Sequence, residues 1–293
     1  MAAAIKVIVS VDWEGRSLEA NDLNAMKIFR EKHPHIPHQH FLNAAYFTKS
    51  DADHDLVVRN VQSVLLPGDE HGLHIHPWQS LLAASGVKPQ RQPSLFNGET
   101  PLKVYGSDWG HEVCLDFMSQ NELRAVIRKS VELLVNAGFR RPKSFRAGAW
   151  IAPEKVLASL SAEGIIHDCS STWIKPLKNR WQEYHLYEKL SVLWKDITSV
   201  SQPYHISISG LPDIFEVPNN GRLADYVTSE DMVEVFAKNL GLLLEYPDGS
   251  DRIVSVGYHQ ETASKYLHRI ENAITEFEAL AQQANVSLDY VTL

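Results

Sequence analysis

Asp12-Trp13-Glu14 sets two carboxylates two residues apart, and on an extended strand residues i and i+2 share a face. One of the two can then ligate a cation while the other stays free to take a proton. The segment His71-Gly-Leu-His74-Ile-His76-Pro-Trp adds imidazoles. Read as a strand it points His74 and His76 one way and His71 the other; read as a helix it would pair His71 with His74. Pro67-Gly68 before it and Pro77 after it leave too little room for a helix, so the strand and the pair His74/His76 are preferred. Zinc takes imidazole nitrogen and carboxylate oxygen, and a catalytic zinc keeps three protein ligands and one open position. Glu14, His74 and His76 supply three.

Two further segments end in groups with chemical use. Ser-Phe-Arg146-Ala-Gly-Ala-Trp150 carries a lone guanidinium able to hold and orient a carboxylate, and Val-Gly-Tyr-His259 carries a His. The tract His33-Pro-His-Ile-Pro-His38-Gln-His40 looks like a metal tract by composition. It precedes an expected strand, on the entry side of the sheet, so it reads as a surface loop. Trp13, Trp78, Trp109 and Trp150 adjoin the chemical segments. Of these, Trp78, Trp109 and Trp150 are the candidates for stacking on the apolar face of a substrate. Asp108, His111 and Glu112 lie in a long loop that can close over a substrate.

Strands and helices must alternate to position these groups. β-branched Ile5 to Val11 reads as a buried strand, Asn21 to Lys32 as a helix, Phe41 to Tyr46 as a strand, and Asp51 to Leu66 as a helix. After the His71 to His76 strand, Gln79 to Val113 reads as a long loop. Ser119-Gln-Asn-Glu122 is a capping box that starts a helix running to Gly138. Ser144 to Ala147 and Ile165-Ile166 read as strands around a helix from Pro153 to Gly164, and Trp173 to Pro212 stays ambiguous. Ile214 to Val217, Arg252 to Tyr258 and Ser287 to Thr292 read as strands, separated by helices Ser229 to Tyr246 and Glu261 to Ala284. This order predicts an α/β chain with a parallel sheet closed or nearly closed into a barrel, one domain over 1–293. In such folds chemistry sits at the carboxyl ends of strands, where Asp12, Glu14, His74, His76, Arg146, Asp168, Glu216 and His259 fall.

Composition narrows the partners. The 293 residues carry 28 Lys+Arg against 36 Asp+Glu, a net charge of -8, with no long basic run, so nucleic acid is not an expected partner. Two cysteines, Cys114 and Cys169, are too few for a disulfide framework. The N-terminus lacks a basic region and a cleavage site, and no stretch approaches the roughly 18 apolar residues of a membrane span. A cytoplasmic protein with a small-molecule or glycan substrate is expected.

In their order along the chain, these segments resemble the polysaccharide deacetylases, the NodB-homology or carbohydrate esterase family 4 group. The resemblance rests on Asp12-x-Glu14, Glu-x-Gly-x-His74-x-His76-Pro, Arg146-Ala-Gly-x-Trp150 and the His259 strand end, with Asp168-Cys-Ser-Ser171 as a further match. It implies a distorted (β/α) barrel of about seven strands and metal-assisted hydrolysis of an N-acetyl group on a sugar. The implied roles are Asp12 as general base, Glu14 with His74 and His76 as ligands of one divalent metal (zinc first, cobalt or nickel as alternatives), Arg146 as the residue that positions Asp12, and His259 as general acid. The chain departs from the family pattern twice. Glu14 stands where an Asp is common, and Trp78 occupies the position four after His74 where the second metal His is common. Two other readings follow, a metal-independent hydrolase of cyclic ureides or imides and a catalytically inactive carbohydrate-binding relative.

Overall fold

In the computed structural model, which describes residues 3–97, 108–246 and 249–293, the strand β1 (Ile5–Asp12) is an interior strand of the sheet. Its β-branched run is buried almost throughout, as a strand covered on both faces must be. Along its whole length it pairs in parallel with β9 (Arg252–His259), so that Asp12 stands opposite His259. On its other side β10 (Leu288–Tyr290) pairs with the first half and β2 (His38–Asn43) with the second. From β2 the sheet runs through β3 (Glu70–Ile75), β4 (Ser144–Ala147), β5 (His167–Asp168) and β7 (Ile214–Glu216) to the antiparallel edge strand β6 (Tyr204–Ile206). Beyond β9 lies β8 (Arg222–Leu223).

The helices α1 (Ala20–Lys32), α2 (His54–Gln62), α3 (Gln79–Ala84), α4 (Gln120–Asn136), α5 (Glu154–Ala162), α6 (Lys178–Trp181), α7 (His185–Leu193), α8 (Ser229–Glu245) and α9 (Ala263–Ala284) connect the strands. Both Ser119, at α4, and Thr228, at α8, form capping boxes with the acid three residues on, which satisfies N–H groups that a helix start leaves open. Val7, Val9 and Val11 join the large core shared with the helices, whereas Ile8, Phe41, Cys169 and Val217 form a second, small cluster. Strand alternation makes this the inner face of a curled sheet. Among the described residues no ladder joins β8 to β6, so the barrel is distorted and open there. No described helix is long and apolar enough to cross a membrane.

Several boundaries differ from the expectations. β2 starts at His38, so the tract His33 to His40 is a loop only in its first half. His35 is exposed, but His38 and His40 are fully buried. The His38 ring packs 5.5 Å from Phe29 and 6.0 Å from Tyr258. His40 accepts a hydrogen bond from Trp13 Nε1 at 3.2 Å and sits 3.3 Å from Asp69. Burial pushes both imidazoles below their ordinary pKa, so they serve as neutral core residues. The expected loop from Gln79 to Val113 opens with α3, and its stretch 98–107 lies outside the described residues. The ambiguous segment Trp173 to Pro212 contains α6, α7 and β6, and β5 falls two residues after Ile165-Ile166. Short pieces such as β6 and β8 bring the described strands to ten where about seven are expected.

Candidate active site

Strand register puts the chemistry at one height. Asp12 is opposite His259 across β1 and β9, and His74 is opposite Arg146 across β3 and β4. Arg146 reaches inward, donating from Nη1 to Asp12 Oδ1 at 2.7 Å and to Ser10 Oγ at 2.9 Å, and from Nε to the Cys169 carbonyl at 3.0 Å. Three bonds leave the guanidinium one orientation, and Asp12 takes its orientation from it.

Glu14 is the hub. His76 Nε2 and His111 Nε2 lie 2.8 and 3.0 Å from its Oε2, and His259 Nε2 and His74 Nε2 lie 3.2 and 3.4 Å from its Oε1. Arg16 Nη2 is 3.6 Å away. Behind the Glu14 carboxylate, its backbone N–H donates to Glu261, whose carboxylate also accepts from Tyr46 Oη at 2.6 Å. Trp78 Nε1 donates to the Glu14 carbonyl at 2.8 Å.

The imidazoles are pinned from their far sides. His74 Nδ1 meets the Arg146 carbonyl at 2.8 Å and His76 Nδ1 the His111 carbonyl at 3.0 Å. A carbonyl only accepts, so each Nδ1 carries the proton and each Nε2 of the neutral ring presents a lone pair. Burial keeps His76 below its ordinary pKa and pushes His111 down to about 3. The Nε2 atoms of His74 and His76 are buried without a properly directed hydrogen bond. Lone pairs facing a carboxylate across 2.8 to 3.4 Å repel one another unless a cation lies between them. Glu14, His76 and His111 have ligand atoms within 4.8 Å of one another. These residues therefore fit a divalent metal, with the ring of His111 stacked 4.3 Å from that of His76. Two close approaches permit this. A Cβ on Gly148 would meet the His76 ring at 2.6 Å, and one on Gly110 (φ +115°) would collide with the Pro77 carbonyl.

His259 is supported by Asp225, whose Oδ2 lies 3.1 Å from Nδ1 and accepts from the His259 backbone N–H at 3.3 Å. Thr262 Oγ1 donates to the other oxygen of Asp225. Burial opposes charge on His259, but Asp225, Tyr226 and Glu14 overcome it and raise its pKa well above the ordinary imidazole value. Asp12, Glu14, Arg16, His74, His76, His111 and His259 line a single cavity together with Phe96, Trp150, Trp181, Leu186 and Tyr226, among others.

All six residues singled out for catalysis and metal binding, Asp12, Glu14, His74, His76, Arg146 and His259, converge here. Of the three tryptophans, only Trp150 lines the cavity. Trp78 is fully buried behind Glu14, and Trp109 lies under the Arg91 guanidinium at 4.5 Å. Asp168 and Glu216 are buried outside the cavity. Asp168 Oδ1 accepts from Ser170 Oγ and Glu216 Oε1 from the Ser171 N–H, which braces the end of β4 through the Ala147 N–H to Ser170 bond. Sequence reasoning placed His111 in a covering loop and missed its approach to Glu14. It missed Asp225 altogether, since that residue follows a two-residue strand with no pattern to mark it.

No protein-family model matches the chain, and no curated protein matches it in sequence. Its backbone does match solved structures. One, described as a polysaccharide deacetylase from Mycobacterium smegmatis, aligns at a TM-score of 0.55 and 10% identity over 99% of this chain and 87% of that one. Another, described as a polysaccharide deacetylase from Pseudomonas aeruginosa PAO1, aligns at 0.55 and 10% over 99% and 88%. At such identity the likeness speaks for the fold, and in that sense the chain has the polysaccharide deacetylase fold that its strand-end motifs resemble.

Proposed function

We propose that the chain is a metal-dependent hydrolase that removes an N-acetyl group from an amino sugar, cleaving the amide C–N bond, and that 1–293 forms one catalytic domain. The observation that carries this reading is the meeting of three sets in one cavity: Asp12 aimed by Arg146, His259 backed by Asp225, and the Glu14, His76 and His111 cluster. Two imidazoles and a carboxylate suit zinc, with cobalt or nickel as substitutes. Glu14, His76 and His111 would hold the ion, with His74 beside them, and when bound it would polarise the acetyl carbonyl and acidify a water.

The chain's own groups divide the proton work. Asp12 accepts the proton of the attacking water through the oxygen that Arg146 leaves unengaged. Asp225 binds His259 at Nδ1, so the ring keeps its Nε2 toward the cavity, where it gives a proton to the departing amine. Arg146 holds Asp12 in register throughout, because its other bonds, to Ser10 and Cys169, do not depend on substrate.

The test is acetate release from a panel of N-acetylated sugars, with metal content measured on the same preparation. Release that follows metal content and disappears in Asp12→Asn is expected. Unchanged turnover after chelation would refute metal dependence and favour the ureide hydrolase reading. Sugar binding without acetate release from any member would favour the inactive relative.

A further inference from the structure

The sheet has a second opening at its other end. At the amino-terminal ends of β2 to β5, opposite the strand ends that carry the chemistry, lies a cavity of about 430 Å³. Arg140, Arg141 and Lys143, in the turn between α4 and β4, line it together with the imidazoles of His71 and His167. This gathering of cations runs against a net charge of -8 for the chain. Side chains of one sign around a concave surface focus their field into it.

The acids nearby do not cancel these cations. Glu70, which also lines the cavity, is held by Arg140 Nη1 at 3.1 Å, and Asp69 is held by Arg30 at 2.6 Å and His40 at 3.3 Å. Arg140 Nη2 donates to the Asp69 carbonyl, which fixes that guanidinium across the rim. Arg141 is tethered through one nitrogen, Nη2, to the Glu163 carbonyl at 3.1 Å. Lys143 is exposed, and its charge adds to the lowering of the His167 pKa that burial begins. Among the described residues no carboxylate pairs with either Arg141 or Lys143.

The floor supplies a directed proton. Leu293 N–H donates to Gln39 Oε1 at 3.2 Å, which fixes the Gln39 amide and turns its Nε2 to Ser144 Oγ at 3.0 Å. A hydroxyl oxygen that accepts this bond sends its own proton elsewhere. Ser144 is 4% exposed and lines the cavity, and no described acceptor takes that proton. His71 Nδ1 is likewise buried without a partner. Buried polar groups left unpaired are costly, and an acceptor oxygen in the cavity would relieve both.

We propose that this opening binds a phosphoryl group, as inorganic phosphate or at the end of a small phosphomonoester, with Arg141 and Lys143 on its charge and Ser144 Oγ donating to one of its oxygens. A phosphoryl group carries a compact charge near two with three or more acceptor oxygens, which matches two rim cations and one fixed donor below them. The volume falls within the roughly 300–1,000 Å³ of small-molecule pockets, so room remains beside the phosphoryl group for the body of a monoester. The site lies apart from the metal cluster and is independent of the deacetylase reading.

Calorimetric titration of the full chain with inorganic phosphate, glucose 6-phosphate and glucose, at constant ionic strength in chloride, tests this. Saturable binding of both phosphorylated probes and none of glucose is expected. Arg141→Ala and Lys143→Glu are each expected to weaken that binding by about tenfold or more; both side chains are exposed, so the fold does not depend on them. Hydrogen exchange locates the site: phosphate is expected to slow exchange over 139–145 and to leave 12–16 and 74–78 unchanged. Tighter binding of glucose 6-phosphate assigns the opening to a monoester, and tighter binding of inorganic phosphate assigns it to the free ion. Equal affinity in the wild type and Lys143→Glu overturns the proposal, as does the absence of binding by either phosphorylated probe. Protection confined to 12–16 and 74–78 would put the anion at the metal cluster and overturn it too. Glucose binding as tightly as its 6-phosphate refutes the phosphoryl assignment.

Discussion

Asp12 and Glu14 sit two residues apart and receive different company. Asp12 meets one guanidinium at 2.7 Å, while Glu14 meets four imidazoles within 3.4 Å. This asymmetry assigns proton transfer to the first and ligation to the second. Asp12→Asn is expected to keep metal content and lower kcat by roughly 100-fold or more, the scale of a positioned general base; near-full turnover with metal bound would remove Asp12 from the role. Asp225→Asn leaves the His259 ring in place but weakens its hold on Nδ1. It should lower kcat by about tenfold or more with KM little changed, and move the alkaline loss of activity to lower pH, because the charge that raises the His259 pKa is removed; a rise in KM alone would point to substrate binding instead. Asp12, Glu14, His74 and His76 were legible because strand alternation fixes which side chains share a face. His111 was not legible as a partner of Glu14, from which it is separated by 97 positions, because a loop has no period from which to infer direction.

At the scale of elements, the starts at Ile5, Ser144, Ile214 and Arg252 were readable to the residue, but the start of β2 was not. The His33 to His40 tract reads as a loop because it precedes an expected strand on the entry side of the sheet, yet the partners that bury its second half, Asp69, Trp13 and Tyr258, come from other elements. The same blindness to tertiary partners applies to the paired acids of β5 and β7. Burial, then the neighbouring Asp168, pushes the Glu216 carboxyl well above its usual range, and burial raises Asp168 too. A folded-state pKa above the unfolded value means that the stabilising proton is fully present below the unfolded value near ~4.3. The contribution is lost as pH rises through the folded pKa. Glu216→Gln keeps an acceptor for the Ser171 N–H and gains a fixed donor toward Asp168. Urea unfolding compared at about pH 5 and about pH 9 should show the wild type losing more stability than Glu216→Gln across that interval, and parallel profiles would show that this pair does not set the alkaline limit.

For the whole molecule, the candidate metal cluster ties interior strands of the sheet to the loop between α3 and α4. Glu14 follows β1, His76 follows β3, and His111 lies in the loop between α3 and α4, held by Trp109 and Glu112 through backbone bonds to Gln79 and Leu95. An ion bound by all three can bind only the folded chain, so its binding adds to folding stability as RT ln(1 + [L]/Kd). At a hundredfold excess over Kd that is about 2.7 kcal/mol, which for a domain of this size is roughly 4 °C in Tm. Zinc added to chelator-stripped protein is therefore expected to raise Tm by that amount, with chelator reversing the shift. His111→Ala should abolish most of the shift. His74→Ala, whose Nε2 is farther from Glu14 than those of His76 and His111, should keep part of it, and His35→Ala, on the exposed loop, should keep all of it. A shift of full size in His111→Ala would take that residue out of the ligand set, while a shift lost only in His35→Ala would move the zinc to the tract that composition first made conspicuous.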